Sequence, residues 1–213
     1  MTDIFREIDE DLRRDRLEKL WSRYGHYLIG LAVLIVLATA AVVGWRQYQA
    51  RERRADSAQY AAALDLARRD QAAAAKAFDE LASKAGGGYV ILARLQAAAS
   101  KASAGDVSGA IAAYDALAAD GSVEPLYRDL ASLSAAQHML ETAEPSAVIE
   151  RLKPLAAGQS PWRPSALEIT ALAQLKAGDK KAALDTFKQL ADDLTAPQGL
   201  RARAAEMITA LNS

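Results

Sequence analysis

The segment AIAAYDALAAD (110–120) decides the fold, because three other stretches of the chain repeat its pattern. They are AAKAFDELASK (74–84), VIERLKPLAAG (148–158) and ALDTFKQLADD (183–193), and successive copies start 36, 38 and 35 residues apart. In each copy the fifth position is large, the eighth is leucine and the ninth is alanine. These spacings place the three positions on one helix face. The predicted repeat core consists of Phe78, Leu81, Tyr114, Leu117, Leu152, Leu155, Phe187 and Leu190.

The agreement between the four copies extends upstream. Four residues before each copy stands an acid, which is suited to cap a helix or to complement its N-terminal dipole: Asp70, Asp106, Glu144 and Asp179. Twelve residues before each copy stands an alanine, whose small side chain lets a preceding helix approach closely: Ala62, Ala98, Ala136 and Ala171. Each unit is therefore predicted to be a helix, a short turn and a second helix.

A two-helix unit with a period of about 34 residues is the tetratricopeptide pattern. The chain resembles that repeat family in the alanine of the first helix and in an Ala-x-x-x-aromatic step that opens the second helix in three copies. The tryptophan and tyrosine usual in the first helix are missing. The resemblance implies an all-α fold, an α-solenoid of tetratricopeptide-like helical hairpins that ends in a capping helix over 198–211.

Most such arrays bind a partner protein on their concave face. By analogy with the repeat, four residues are the candidate partner-binding positions: Leu95, Leu133, Gln137 and Glu168. The alternative for each is ordinary core or solvated surface. His138 is interpreted as a packing or surface histidine rather than a ligand.

A single candidate membrane span precedes the repeats. The run GHYLIGLAVLIVLATAAVVGW (25–45) contains no charged residue, and 21 helical residues extend about 30 Å, the thickness of a hydrocarbon core. Aromatic and arginine side chains flank the run as membrane-interface anchors: Trp21, Arg23, Tyr24, Trp45, Arg46 and Tyr48. A cleaved signal peptide is the alternative, because Ala38-Thr39-Ala40 has the form that signal peptidase reads. The long, acid-rich leader favours an uncleaved anchor.

Four segments follow from this pattern. Residues 1–24 are predicted to form a cytoplasmic amphipathic helix, with a partly disordered charged tail as the alternative. Residues 25–45 form the transmembrane helix, and 46–70 extend it to about residue 69 as the first repeat helix. Residues 71–213 form the repeat domain. Six Lys and Arg residues precede the span and four lie in 46–65, which weakly favours a cytoplasmic N-terminus and a periplasmic repeat domain.

Prolines add local expectations to this scheme. Pro125 and Pro145 are predicted to begin helices, where the missing N–H costs nothing. Pro154 falls within a predicted helix, so a kink or an early end is expected there. Pro161 and Pro164 are expected to bracket Trp162 in a linker.

The residue inventory argues against catalysis and cofactors. The chain has no cysteine and only two histidines, and no cluster has metal-ligand spacing. It carries neither a phosphate-binding glycine loop nor a nucleophile motif. A net charge of −1 gives no polycation for nucleic acid. We therefore expect a non-enzymatic protein without a cofactor or a nucleic-acid partner.

The whole architecture resembles the YfgM-type ancillary subunits of the bacterial Sec translocon (SecYEG). Local echoes are Tyr24-Gly25 before the span and Gly44-Trp45-Arg46 with Tyr48 after it. The resemblance implies a single-pass inner-membrane protein that contacts translocon subunits, a membrane-anchored periplasmic folding factor and exported polypeptides. Its function would be to assist the hand-over or folding of exported proteins. The alternative is an anchored repeat scaffold for cell-division or cell-wall machinery.

Overall fold

The computed structural model describes the backbone of residues 3–212 and the side chains of residues 21–212, except those of residues 28 and 32. Over that range the chain is helical, with no strand. The helices in chain order are α1 Asp3–Ala67, α2 Gln71–Lys84, α3 Gly88–Ser103, α4 Val107–Ala118, α5 Pro125–Thr142, α6 Pro145–Ala157, α7 Arg163–Lys176, α8 Lys180–Asp192 and α9 Gln198–Asn212. The prediction of an amphipathic face in residues 1–24 lies largely outside the described side chains.

Residues 1–54 and 55–213 form two compact units. The first unit contains α1 up to Arg54. The described large apolar side chains from Ile29 to Val43 are each more than half exposed. The most apolar window of this helix is long and apolar enough to cross a membrane, a test that a signal sequence also passes.

The second unit is an array of helical hairpins. The end of α1 pairs with α2, and the pairs α3–α4, α5–α6 and α7–α8 follow, with α9 packed on the last pair. The all-α repeat prediction is thus confirmed. The structure buries each of the eight repeat-core residues to 7% exposure or less: Phe78, Leu81, Tyr114, Leu117, Leu152, Leu155, Phe187 and Leu190.

Acidic side chains cap three of the four second helices. A carboxylate oxygen of Asp70, Asp106 and Asp179 accepts a hydrogen bond from the backbone N–H three residues later, each at 2.9 Å. These bonds satisfy a donor that the helix leaves unpaired. Glu144 makes no such side-chain bond before α6, whose first turn instead carries Pro145.

The small first-helix residue is one position later in the first hairpin than the sequence alignment places it. Ala98, Ala136 and Ala171 are completely buried, but Ala62 is exposed and Ala63 is buried in its place. In the second hairpin Gly105, at a φ of 91°, lets the Asp106 N–H reach back five residues to Lys101. The first turn has no such glycine.

In the first hairpin the Asp70 N–H donates to the carbonyl of Leu66, only four residues back. The buried Ala63 stands seven residues before Asp70, whereas Ala98, Ala136 and Ala171 stand eight residues before the corresponding acids. Helix α1 ends at Ala67, three residues before Asp70, rather than near residue 69 as predicted.

The structure corrects the linker position of Pro164 and the early helix end at Pro154. Helix α6 continues through Pro154 to Ala157, and the buried side chain of Leu155 holds that last turn against the core. A kink at Pro154 stays a prediction. Pro164 lies in the first turn of α7 rather than in a linker, where its missing N–H breaks no helical bond. Pro125 and Pro145 begin helices as predicted.

Candidate partner-binding surface

The first helix of each hairpin has one side that faces away from the hydrophobic clusters. In α5, Ala131 and Ala135 pack into the cluster of the second hairpin, whereas Leu133 and Ala136 pack into that of the third. Gln137 lies on neither side and is exposed. The helical repeat thus leaves a single outward stripe along α5.

Equivalent positions on the other first helices carry leucine. Leu64 and Leu172 each follow a buried alanine, as Gln137 follows Ala136, and they are both 37% exposed. Leu92 precedes Ala98 by six residues, which brings it to nearly the same side of its helix, and it is 38% exposed. We call Leu64, Leu92, Gln137 and Leu172 the first-helix face. The side chains at these four positions are apolar or carry an amide, and none of them is charged.

The four residues predicted for partner binding are distributed differently. Gln137 is on the first-helix face. Leu95 is half-buried against the cluster of the second hairpin. Leu133 is only 7% exposed and packs in the third cluster, so its assignment to a binding surface is corrected to core. Leu95 and Leu133 occupy the same repeat position, three residues before the buried alanine, which faces the interior.

Glu168 shares that repeat position but makes an ion pair instead. Its carboxylate accepts hydrogen bonds from Nε and a terminal nitrogen of Arg203 at 2.8 and 3.0 Å. The carboxylate raises the pKa of the Arg203 guanidinium. This two-point contact ties α9 to α7, so Glu168 helps to hold the terminal helix in place.

Leu64, Leu92 and Leu172 were missed by the sequence reasoning. The signal in the sequence was a large apolar residue directly after the buried alanine. That position lies outside the helix face that packs into the core, so burial alone does not explain an apolar residue there. That signal is clear in the fourth hairpin. In the first it appears only once the buried alanine is known to be Ala63 rather than Ala62, and Ala99 and Gln137 stand at the same step in the other two.

Other surfaces of the repeat unit offer less. A cavity of about 480 Å³ lies beside the turns around Gly158 and Thr195, and polar and apolar groups line it in nearly equal measure. Within the described residues, no group of three histidine, cysteine or acidic side chains is placed to hold a metal ion. His138 stacks on Tyr114 with ring centroids 6.0 Å apart, which is a packing contact.

The predicted membrane-interface anchors all lie in the first unit, at the two ends of the apolar run, and all are exposed: Trp21, Arg23, Tyr24, Trp45, Arg46 and Tyr48. Their exposure agrees with side chains available to lipid headgroups, and their role as anchors stays a prediction.

Together these features define a class of protein: an α-solenoid of short hairpins, with one apolar N-terminal helix and an uncharged first-helix face. The family model described as "Tetratricopeptide repeat-like domain" matches residues 18–199, and the chain belongs to that family. No curated protein and no solved structure matches the chain. The family is generally non-enzymatic, and its domain suggests a protein–protein interaction scaffold.

Proposed function

We propose that the protein is a non-enzymatic inner-membrane adaptor associated with the Sec translocon, which assists the hand-over or folding of exported proteins. The observation that carries the proposal is the first-helix face, with three exposed leucines and one exposed glutamine, in a repeat family whose domain suggests an interaction scaffold. The sequence resemblance to YfgM-type subunits supplies the translocon as the site of action. Residues 71–213 are the repeat domain in this proposal.

The chemistry of the first-helix face fits an extended, weakly charged polypeptide. Leu92 and Leu172 offer apolar contact, and Gln137 offers both a donor and an acceptor to a peptide backbone. An acidic or basic peptide would lose hydration there without gaining a charge partner. Segments of exported proteins that have not yet folded expose apolar, uncharged stretches of this kind.

The apolar helix would supply location rather than affinity. Residues 25–45 anchor the chain in the inner membrane in this proposal, with the N-terminus cytoplasmic and the repeats periplasmic. Tethering near the channel raises the effective concentration of the binding face to about the millimolar range for a short linker. Modest affinity for each client is then sufficient. Translocon subunits and a membrane-anchored folding factor are the proposed stable partners.

Site-specific photo-crosslinking in living cells tests this function. A photoreactive residue at Leu92 or Leu172 samples the first-helix face, and one at Gln189, exposed on α8, is the matched control. We expect translocon subunits and newly exported chains as products at the leucine positions and not at Gln189. Division or wall-synthesis proteins without channel subunits would overturn the proposal in favour of the scaffold alternative. Equal products at all three positions would remove the face from the mechanism.

A further inference from the structure

Four arginines follow directly after the apolar run of residues 25–45: Arg46, Arg51, Arg53 and Arg54. All four are exposed, they belong to the first unit, and α1 continues through them without a break. Because each residue of a helix turns by about 100°, the four side chains leave the helix within an arc of about 160°. We call these four residues the basic face.

The acidic residue within this stretch lies on the opposite side of the helix. Glu52 is the one acid in residues 46–55, and it stands about 180° from the centre of the arc. It raises the pKa of the Tyr48 hydroxyl, first through a hydrogen bond and then through its charge. The Glu52 carboxylate is therefore engaged by the tyrosine and does not neutralise the basic face.

Arginines of the second unit show the contrast. The guanidinium groups of Arg94, Arg151, Arg163 and Arg203 each contact a carboxylate at 2.6–2.8 Å. In the part of the chain whose side chains the structure describes, the basic face forms no ion pair with any carboxylate. It therefore presents four positive charges to its surroundings without an internal counter-charge.

The distance from the apolar run determines which anions the basic face reaches. If residues 25–45 span a membrane, the headgroup layer extends about 5–8 Å beyond the end of the run. At about 1.5 Å per residue, Arg46 stands within that layer and Arg54 stands about 13 Å beyond the run. The outermost arginine is thus within about one screening length, about 8 Å, of the headgroups. Long arginine side chains extend back across that distance.

We propose that the basic face binds the headgroups of anionic phospholipids around the end of the span. Guanidinium groups match phosphate oxygens in two-point contacts, and the helix holds all four groups at the depth where phosphates lie. Because the arc covers nearly half of the helix circumference, several lipids contact the basic face at once. Charge complementarity and continuity with the apolar run thus favour a lipid surface over a soluble partner. The inference rests on the proposed membrane span but not on its orientation.

Electron spin resonance of spin-labelled lipids tests this lipid preference. The full chain is reconstituted into phosphatidylcholine vesicles, and the motionally restricted fraction is compared for labelled phosphatidylglycerol and labelled phosphatidylcholine. One basic residue near an anionic surface strengthens attraction by about fivefold. We expect the wild type to prefer phosphatidylglycerol by at least about threefold at low ionic strength. The preference should fall in about 1 M NaCl, where the screening length is about 3 Å.

A charge-removing variant and a matched control identify the residues responsible. The variant replaces the three outer arginines of the basic face by glutamine: Arg51→Gln, Arg53→Gln and Arg54→Gln. The control removes the same charge from exposed positions on α8: Lys180→Gln, Lys181→Gln and Lys188→Gln. We expect the preference to approach one in the variant and to persist in the control, with unchanged helix content in both. Lysine at the three arginine positions should retain most of the preference. An equal loss in variant and control would overturn the proposal.

The same vesicles separate this inference from the proposed anchor. Alkaline carbonate extraction measures whether the wild type is integrated in the membrane. Release of the chain, with no restricted lipid of either kind, would refute the span and the lipid site together. Retention of the chain with equal restriction of the two lipids would refute the lipid site and leave the span standing.

Discussion

Replacing Leu117 by alanine tests whether the repeat alignment has identified the core correctly. Leu117 is the leucine of the second repeat copy, and its side chain is only 1% exposed. It packs with Tyr114, Val123 and the small side chain of Ala131. Alanine neighbours have little freedom to move into a gap, so most of the cavity should persist. Leucine-to-alanine changes in such cores cost about 3 kcal/mol, within a range of about 2–5 kcal/mol.

Thermal unfolding followed by circular dichroism measures this cost. For a domain of 150–250 residues each kcal/mol lowers the melting temperature by about 2–4 °C, so Leu117→Ala should melt about 6–12 °C below the wild type. The full chain in a mild detergent is the appropriate sample. The apolar part of α1 contributes a constant helical signal, and the transition reports the repeats. Because repeat arrays can melt unevenly, the midpoint and the steepness are both recorded.

Leu172→Ala is the matched control, since this leucine lies on the first-helix face and is 37% exposed. Surface changes of this kind alter stability by about 0.5 kcal/mol or less. If Leu117→Ala melts together with Leu172→Ala, Leu117 does not stabilise the second hairpin, and its assignment to the core of that hairpin is refuted.

Two further predictions concern the turns. Asp106→Ala should destabilise the protein by about 1 kcal/mol, because it removes the cap at the start of α4. Glu144→Ala removes no cap bond and should be nearly neutral. Equal effects of the two variants in urea unfolding would contradict the capping role. The Ser122 hydroxyl, followed by the Arg94 guanidinium, lowers the pKa of Asp120 from 3.8 to about 2. Because the folded pKa is depressed, this contribution to stability is complete above pH 3.8 and is lost as the pH falls toward 2. Ser122→Ala should raise the pKa of Asp120 in a carboxyl NMR titration. Thr195→Ala, which alters the equivalent turn at Asp193, should leave the pKa of Asp120 unchanged. A rise in the pKa of Asp120 in both variants would argue against local hydrogen bonding as the cause.

The core was predictable because it depends on a spacing that the sequence shows directly. The large residue and the leucine of each copy lie on one helix face, and any stable hairpin must bury that face. Phe78 and Phe187, at opposite ends of the array, are accordingly both at 1% exposure or less. Capping acids were similarly visible, since an aspartate before an alanine-rich run has a local role that needs no knowledge of the rest of the fold.

The register of the first helix against the second was less predictable from the sequence, because it depends on the geometry of the turn between them rather than on residue type. Counting back from the second helix selects Ala62, and the structure buries Ala63. The turns themselves differ: those of the second and fourth hairpins contain a glycine with positive φ, Gly105 and Gly178, whereas the first closes with a four-residue hydrogen bond at Asp70. A sequence alignment without gaps treats the two turns as the same length and therefore shifts the helix.

Surface residues were the least predictable, and the reason is physical. A residue in the core makes contacts within its own repeat, so the repeat pattern predicts it. Whether an outward residue is exposed depends instead on whether another hairpin packs against it. Ala62 and Ala97 each stand one residue before the buried alanine of their helix, but Ala62 is exposed and Ala97 is buried in the cluster of the preceding hairpin. Nothing in their local sequence separates them. The difference lies in the order of the hairpins, because within the described residues no hairpin precedes the first one.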